Sequence, residues 1–327
     1  MKYRRLGRNG PQVSAISMGR GAAEVVEGGL LEKDFHAAIH RALDVGVNFF
    51  DSSDAYWQGG HERLLAKALK GRRNEAMIAT KFGNIDLPDN KKATNGRPQY
   101  VHQSCDASLK RLGCEVIDLY FLHRVDPHVP IEETVGAMSE LISRGKVRFI
   151  GLCEASVKTL RRAHAEHPLT ALQTEYSLWF RDVEKDIIPA CKELGIGYIA
   201  YAPLARGLLT GQIKSLQDMA LDDRRRVHPR FSAEHLPKNL ALVSELTLMA
   251  QRYEIAPAQL ALAWILAQWD GIVPIPGTNQ AQKLEQNIAA IDLTLAPKDI
   301  AQLNEVFALG SGSGERYRSN VLKGVGL

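Results

Sequence analysis

Cysteine is scarce: four in 327 residues, Cys105, Cys114, Cys153 and Cys191, with no CxxC pair and no histidines at ligand spacing. That argues against a disulfide framework and a cysteine-ligated zinc site, and the thiols read as free in a reducing compartment. No apolar run approaches the roughly 20 residues that a membrane-spanning helix needs. The opening Met1-Lys2-Tyr3-Arg4-Arg5-Leu6-Gly7 lacks the apolar core of a secretory signal. These absences point to the cytoplasm and to no membrane partner. Charge of one sign is lacking too, because 41 basic and 37 acidic residues leave a net charge of only +4. A nucleic-acid face needs clustered basic residues, and the only knot, Arg224, Arg225 and Arg226, reads as a solvated loop. The ten histidines do not cluster, so no metal site is expected. A dinucleotide-binding GxGxxG is also missing, since Gly19-Arg20-Gly21-Ala22-Ala23-Glu24 fails at its last position. An open Rossmann sheet loses its anchor.

Short apolar, β-branched or aromatic runs are plentiful. They fall at residues 15–19, 47–51, 77–81, 117–123, 148–153, 171–175, 197–201 and 272–275. Helical spacing separates most of them, at 62–69, 101–112, 131–143, 157–164 and 183–194, and returns at 240–252 and 257–268. Continuous rather than alternating apolar runs indicate strands covered on both faces, as a parallel sheet requires. Eight such strand–helix units predict an α/β fold, a (β/α)8 TIM barrel forming one domain over residues 1–327. Gly10-Pro11 between two short runs predicts an N-terminal β-hairpin closing one end. The irregular stretch 203–235 is too long for a connector and reads as a covering loop.

In such barrels the chemistry sits at the C-terminal mouth, where the strands end. Asp51 closes the second run, Tyr56 follows in its loop, Lys81 closes the third and His123 the fourth. Hydride transfer to a carbonyl builds negative charge on oxygen and requires a proton donor. Tyr56 is the natural donor, Lys81 would lower its pKa, Asp51 would balance Lys81, and His123 would orient the carbonyl. Singly, each has a plainer structural reading, as a cap, a loop aromatic, a surface charge or a core histidine. Four titratable types at four strand ends outweigh those readings. A Schiff-base lyase using Lys81 stays open as an alternative, although a paired, charged lysine suits it poorly.

The strings Asp51-Ser52-Ser53-Asp54-Ala55-Tyr56, Ala79-Thr80-Lys81-Phe82-Gly83, Asp118-Leu119-Tyr120-Phe121-Leu122-His123 and Gly145-Lys146-Val147-Arg148-Phe149-Ile150-Gly151 resemble the aldo-keto reductase superfamily over nearly the whole chain. Leu122-His123-Arg124-Val125-Asp126-Pro127 and Glu154-Ala155 are similar to its bacterial and plant auxin-induced-like members. The resemblance implies an NADP(H)-dependent reductase of aldehydes or ketones, with Asp51, Tyr56, Lys81 and His123 as its tetrad. It implies that Gln173 holds the carboxamide, with Tyr201, Pro203 and Leu204 near the nicotinamide. Gly277, Thr278, Asn279, Lys283, Glu285 and Asn287 match the segment for the adenosine 2′-phosphate and adenine, where a helix beginning near Asn279 would aim N–H groups at the phosphate. Cys153 stands where members carry serine, as a carboxamide contact. Asn279 and Gln280 are neutral where members often carry a cation. Trp57, Trp179 and the glycine-rich tail to Tyr317, within residues 310–327, are the expected substrate walls. A second reading from the family is a redox-sensing subunit with little turnover. The sequence leaves oligomeric state and the carbonyl substrate open.

Overall fold

The computed structural model describes residues 1–21, 24–86, 92–322 and 324–327. Ala22 and Ala23 of the glycine-containing string, and Lys323 of the tail, lie outside these. The chain opens with a hairpin, β1 (Tyr3–Arg5) paired antiparallel with β2 (Gln12–Ser14), its register running Tyr3 opposite Ser14. Helix α1 (Glu32–Asp44) leads to β3 (Phe49–Asp51), α2 (Gly60–Ala68) and β4 (Met77–Phe82). A small hairpin, β5 (Asn84–Asp86) and β6 (Lys92–Thr94), precedes α3 (Pro98–Leu112). Then come β7 (Ile117–Leu122), α4 (Ile131–Ser143), β8 (Val147–Cys153), α5 (Val157–Glu166), β9 (Ala171–Glu175), α6 (Ile187–Leu194) and β10 (Gly197–Tyr201). After an irregular excursion follow α7 (Leu236–Gln251), α8 (Pro257–Gln268), β11 (Ile272–Pro274), α9 (Ala281–Ile288) and α10 (Pro297–Val306).

Seven strands form one parallel sheet in the order β11-β10-β9-β8-β7-β4-β3. The first apolar run supplies the eighth stave. Met18 bridges Phe50 and Gly19 bridges Gly277, both in parallel, while Ser17 N donates to Pro274 O and Met18 N to Phe49 O. This closes the (β/α)8 barrel. The hairpin seals the amino ends of the strands: Arg8 N donates to Gly195 O, and Arg4 reaches the carbonyls of Leu266, Trp269 and Ile272. The opposite end is therefore the open mouth.

Both faces of the strands are buried, which explains the continuous apolar runs. Phe49, Ala79, Leu119, Phe121, Ala171, Ile199 and Val273 fill the interior with Leu6 and Val13 of the hairpin, while Phe50, Ile78, Tyr120, Leu122, Ile150 and Leu172 face the helices. Helix ends follow local chemistry. Proline opens α3, α8 and α10, Ser156 accepts from Thr159 N to cap α5, and Gly113 and Gly195 stop α3 and α6 in left-handed conformations. The helix expected over 183–194 is interrupted instead: a single turn at Asp182–Glu184 precedes α6, because Asp186 takes φ −144 and ψ −42, outside the helical region. The helix expected near Asn279 starts at Ala281. Within 203–235 only short 3₁₀ turns form, with Ala205 and Arg206 in the left-handed region at φ 48 and 57.

Candidate active site

Strand parity decides which side chains reach the mouth. Successive residues point to opposite faces, so Phe49 and Ala79 carry Asp51 and Lys81 inward, and Leu119 and Phe121 carry His123. The same alternation turns Cys153, Gln173, Glu175 and Tyr201 to the interior of β8, β9 and β10. Tyr56 comes from the turn after β3. There Trp57 and Gln58 adopt φ 53 and Gly59 φ 77, winding the chain tightly into α2 and folding Tyr56 back over the strand ends.

The four expected residues meet. Lys81 Nζ donates to Asp51 Oδ2 at 2.6 Å and to Ser52 O at 2.6 Å, and lies 3.4 Å from Tyr56 Oη. Asp51 Oδ1 accepts from Gln173 Nε2 at 2.7 Å. The Tyr56 and His123 rings meet edge-on at 5.9 Å. Lys81 is fully buried and Asp51 is 3% exposed. Burial depresses the Lys81 pKa, but Asp51 and Tyr56 raise it further, so the ammonium stays firmly charged. Burial and the nearby Lys81 and Arg124 charges hold His123 well below the ordinary histidine value, so its ring is neutral. The expected acidification of Tyr56 is not what results. Burial raises the phenol above its ordinary value, and Lys81 only partly opposes that. Desolvation disfavours the phenolate more than one ammonium favours it.

Several groups around these four are not singled out by the sequence. Ser53 Oγ lies 3.1 Å from His123 Nδ1, and Ser52 Oγ 2.8 Å from His61 Nδ1. The Arg20 guanidinium sits 4.9 Å from the Tyr56 ring centre and 5.6 Å from that of Trp57. Across the mouth Glu154, 3% exposed and left-handed at φ 53, binds Arg316 through two 2.8 Å contacts. Tyr201 Oη donates to Glu154 at 2.6 Å and lies 2.9 Å from Tyr317 Oη. Gly326 N donates to Glu154 O and Ser156 N to Leu327 O, so the tail is laced onto the end of β8. A non-glycine residue in the left-handed region, as Glu154 is, was a conformational signal invisible in the sequence.

The other expected residues divide. Gln173 and Tyr201 join the central network, and Pro203 and Leu204 lie directly beyond β10. Cys153 is 1% exposed among the barrel-interior residues, with burial pushing its thiol up to about 12, which makes it an inert neutral group. A Cβ on Gly277 would lie 1.9 Å from Arg20 O, so only glycine lets this turn run against the strand-1 loop. Thr278 Oγ1 accepts from Gln280 N ahead of α9, and Asn279 lies against Gly21. Asn287 is buried in α9, Lys283 is exposed, and Glu285 pairs with Arg41 of α1 at 2.5 Å. Trp57 and Tyr317 are half-buried at the mouth. Trp179 is 8% exposed, edge-on to Phe307, with Gly312 of the tail tight against its indole nitrogen.

The family model described as the aldo/keto reductase family matches residues 15–308. A probable aldo-keto reductase from Glycine max is 44% identical over 317 residues, covering 96% of this chain and 91% of that protein. A glycerol dehydrogenase from Gluconobacter oxydans superposes with a TM-score of 0.84 at 26% identity, over 94% of this chain and 95% of that one. An aldo-keto reductase from Klebsiella pneumoniae in complex with NADPH shares the fold, with a TM-score of 0.75 at 24% identity over 97% of this chain and 98% of its own. Barrel, mouth and sequence match agree that this chain belongs to the aldo/keto reductase family.

Proposed function

We propose that the protein is an NADPH-dependent carbonyl reductase that converts an aldehyde or ketone reversibly to the alcohol. The observation that carries this reading is the buried Asp51–Lys81 pair set beneath Tyr56 and beside a neutral His123. When bound, the nicotinamide supplies the hydride. Tyr56, protonated across the physiological range, gives the proton to the carbonyl oxygen. Lys81 lies close enough to stabilise negative charge on the phenol oxygen as that proton leaves. For His123 Nε2 to donate to the same oxygen, Nδ1 must accept, which Ser53 Oγ at 3.1 Å allows.

The donor set fits such a cofactor. Gln173, tied to Asp51, is an amide suited to pair with a carboxamide, and Tyr201 offers a ring at the end of β10. The Gly277 turn opens α9, whose first-turn N–H groups and Lys283 suit a phosphate. Glu285 and Asn287 are on the same helix, suited to the adenine, and the 203–235 loop lies beside the same mouth as its cover. Trp57 and Tyr317 are assigned to the substrate walls, with residues 310–327 closing over them. The Klebsiella protein of the same fold is in complex with NADPH, which supports the choice of nucleotide. The test is titration of the purified protein with NADPH by nicotinamide fluorescence, followed by absorbance-monitored oxidation against a panel of aldehydes and ketones. Absence of NADPH binding would refute the reading.

A further inference from the structure

Four guanidinium groups and two buried glutamates lie over the ends of β7 to β10. Over the ends of β8 to β10, Arg206, Arg230 and Arg316 surround the buried Glu154 and Glu175. Both acids are fully engaged. Glu154 Oε1 accepts from Tyr201, Arg316 and Glu175 N, and Oε2 from Arg316. Glu175 Oε1 accepts from Arg230 and Arg206, and Oε2 from Arg206. A fourth guanidinium, Arg124, follows His123 directly and points its Nη1 at the His123 carbonyl at 2.8 Å. Among the described residues no carboxylate lies within ion-pair distance of it. Burial lowers its pKa, but its surroundings, with Glu154 the charged carboxylate among them, raise it more, so it remains charged. A guanidinium has five N–H donors in a planar fork matched to a carboxylate, and a half-buried one with no directly paired carboxylate is costly.

We infer that Arg124 is the centre of an anion subsite that takes the carboxylate of a carbonyl substrate, so that the preferred substrates are aldehydes or ketones bearing a carboxylate. The inference rests on the reductase reading above. Position favours the substrate over the cofactor's 2′-phosphate as the source of the anion. Arg124 lies at the end of β7 next to His123, whereas the segment matched to the adenosine 2′-phosphate follows β11, four staves away around the closed barrel in either direction. An aromatic wall at Tyr317 and Trp57 with a guanidinium beside it suits an aryl or alkyl body carrying an acid group.

The test compares 4-carboxybenzaldehyde with benzaldehyde, using the ratio of their kcat/KM values so that intrinsic reactivity cancels between parent and variants. Arg124→Met should lower that ratio about ten- to hundredfold, the scale of a lost charge-assisted contact, and Arg124→Lys should restore part of it. In the parent with NADPH, benzoate should raise the melting temperature more than benzamide, and the difference should vanish in Arg124→Met. An unchanged ratio, or equal effects of benzoate and benzamide on the parent, overturns the subsite. So does an NADPH dissociation constant weakened about tenfold with the ratio intact, which would assign Arg124 to the diphosphate. Failure of the parent to reduce either aldehyde would strike the reductase reading instead. The benzoate–benzamide comparison would still decide the subsite, as it would if Arg124→Met did not fold.

Discussion

Lys81→Met should be among the most damaging single changes to the fold as well as to the chemistry. Lys81 is fully buried and Asp51 is 3% exposed, so removing the ammonium leaves a carboxylate in a dry interior. Breaking such a pair from one side costs about 3–5 kcal/mol, against a total stability of about 5–15 kcal/mol. The loss should fall toward the lower figure, because Asp51 keeps the 2.7 Å contact from Gln173. Asp51→Asn removes the counter-charge of Lys81 and leaves it only neutral acceptors such as the Ser52 carbonyl. Joining the two substitutions removes both charges together. The double variant should therefore lose less than the sum of the singles, by about 1–3 kcal/mol. Urea unfolding followed by tryptophan fluorescence and by circular dichroism measures all four proteins, provided the two signals coincide. Additive losses, or single losses below about 1 kcal/mol, would refute the claim that these groups form a coupled buried pair.

Glu154→Gln should release the tail, since it weakens a buried bidentate contact to Arg316; limited proteolysis should then cut beyond residue 310 faster than in the parent, with a stability loss of about 3 kcal/mol. For pH, a proton donor whose pKa is raised keeps its proton to higher pH, and His123 is neutral because its pKa is lowered. The kcat/KM for reduction should thus stay level between about pH 6 and 9, and a descending limb inside that window would mean that Tyr56 is acidified after all. Lys283→Ala should weaken NADPH binding about ten- to hundredfold at fixed salt while leaving NADH binding nearly unchanged. Equal losses for both nucleotides would give Lys283 a structural role only.

Much of this arrangement is legible in the sequence, for a physical reason. Parallel strands buried on both faces must be apolar throughout, so a titratable residue at the end of such a run stands out, and Asp51, Lys81 and His123 were found that way. Tyr56 was found by its place in the loop after Asp51. What was missed depends on contacts between distant residues. Glu154 and Arg316 are 162 positions apart, and nothing local marks them as partners. The sign of the Tyr56 shift turns on burial, which a sequence gives only coarsely, whereas the Lys81 charge is plain in it. Helix α1 went unread, although Phe35, Ala38, Ile39, Ala42 and Leu43 form its buried stripe, and the break at Asp186 was smoothed over because the flanking residues keep helical spacing.

The measurement that bears most directly on the central claim is the turnover of Tyr56→Phe with NADPH and a carbonyl that the parent reduces. Only a hydroxyl is lost, its 3.4 Å contact with Lys81 is weak, and the ring keeps its packing against His123 and His61. The barrel and the nucleotide site should survive. In Tyr56→Phe, kcat should fall by about 10²- to 10⁴-fold while the NADPH dissociation constant changes less than about twofold. A variant that keeps most of its turnover would mean that the proton comes from another group.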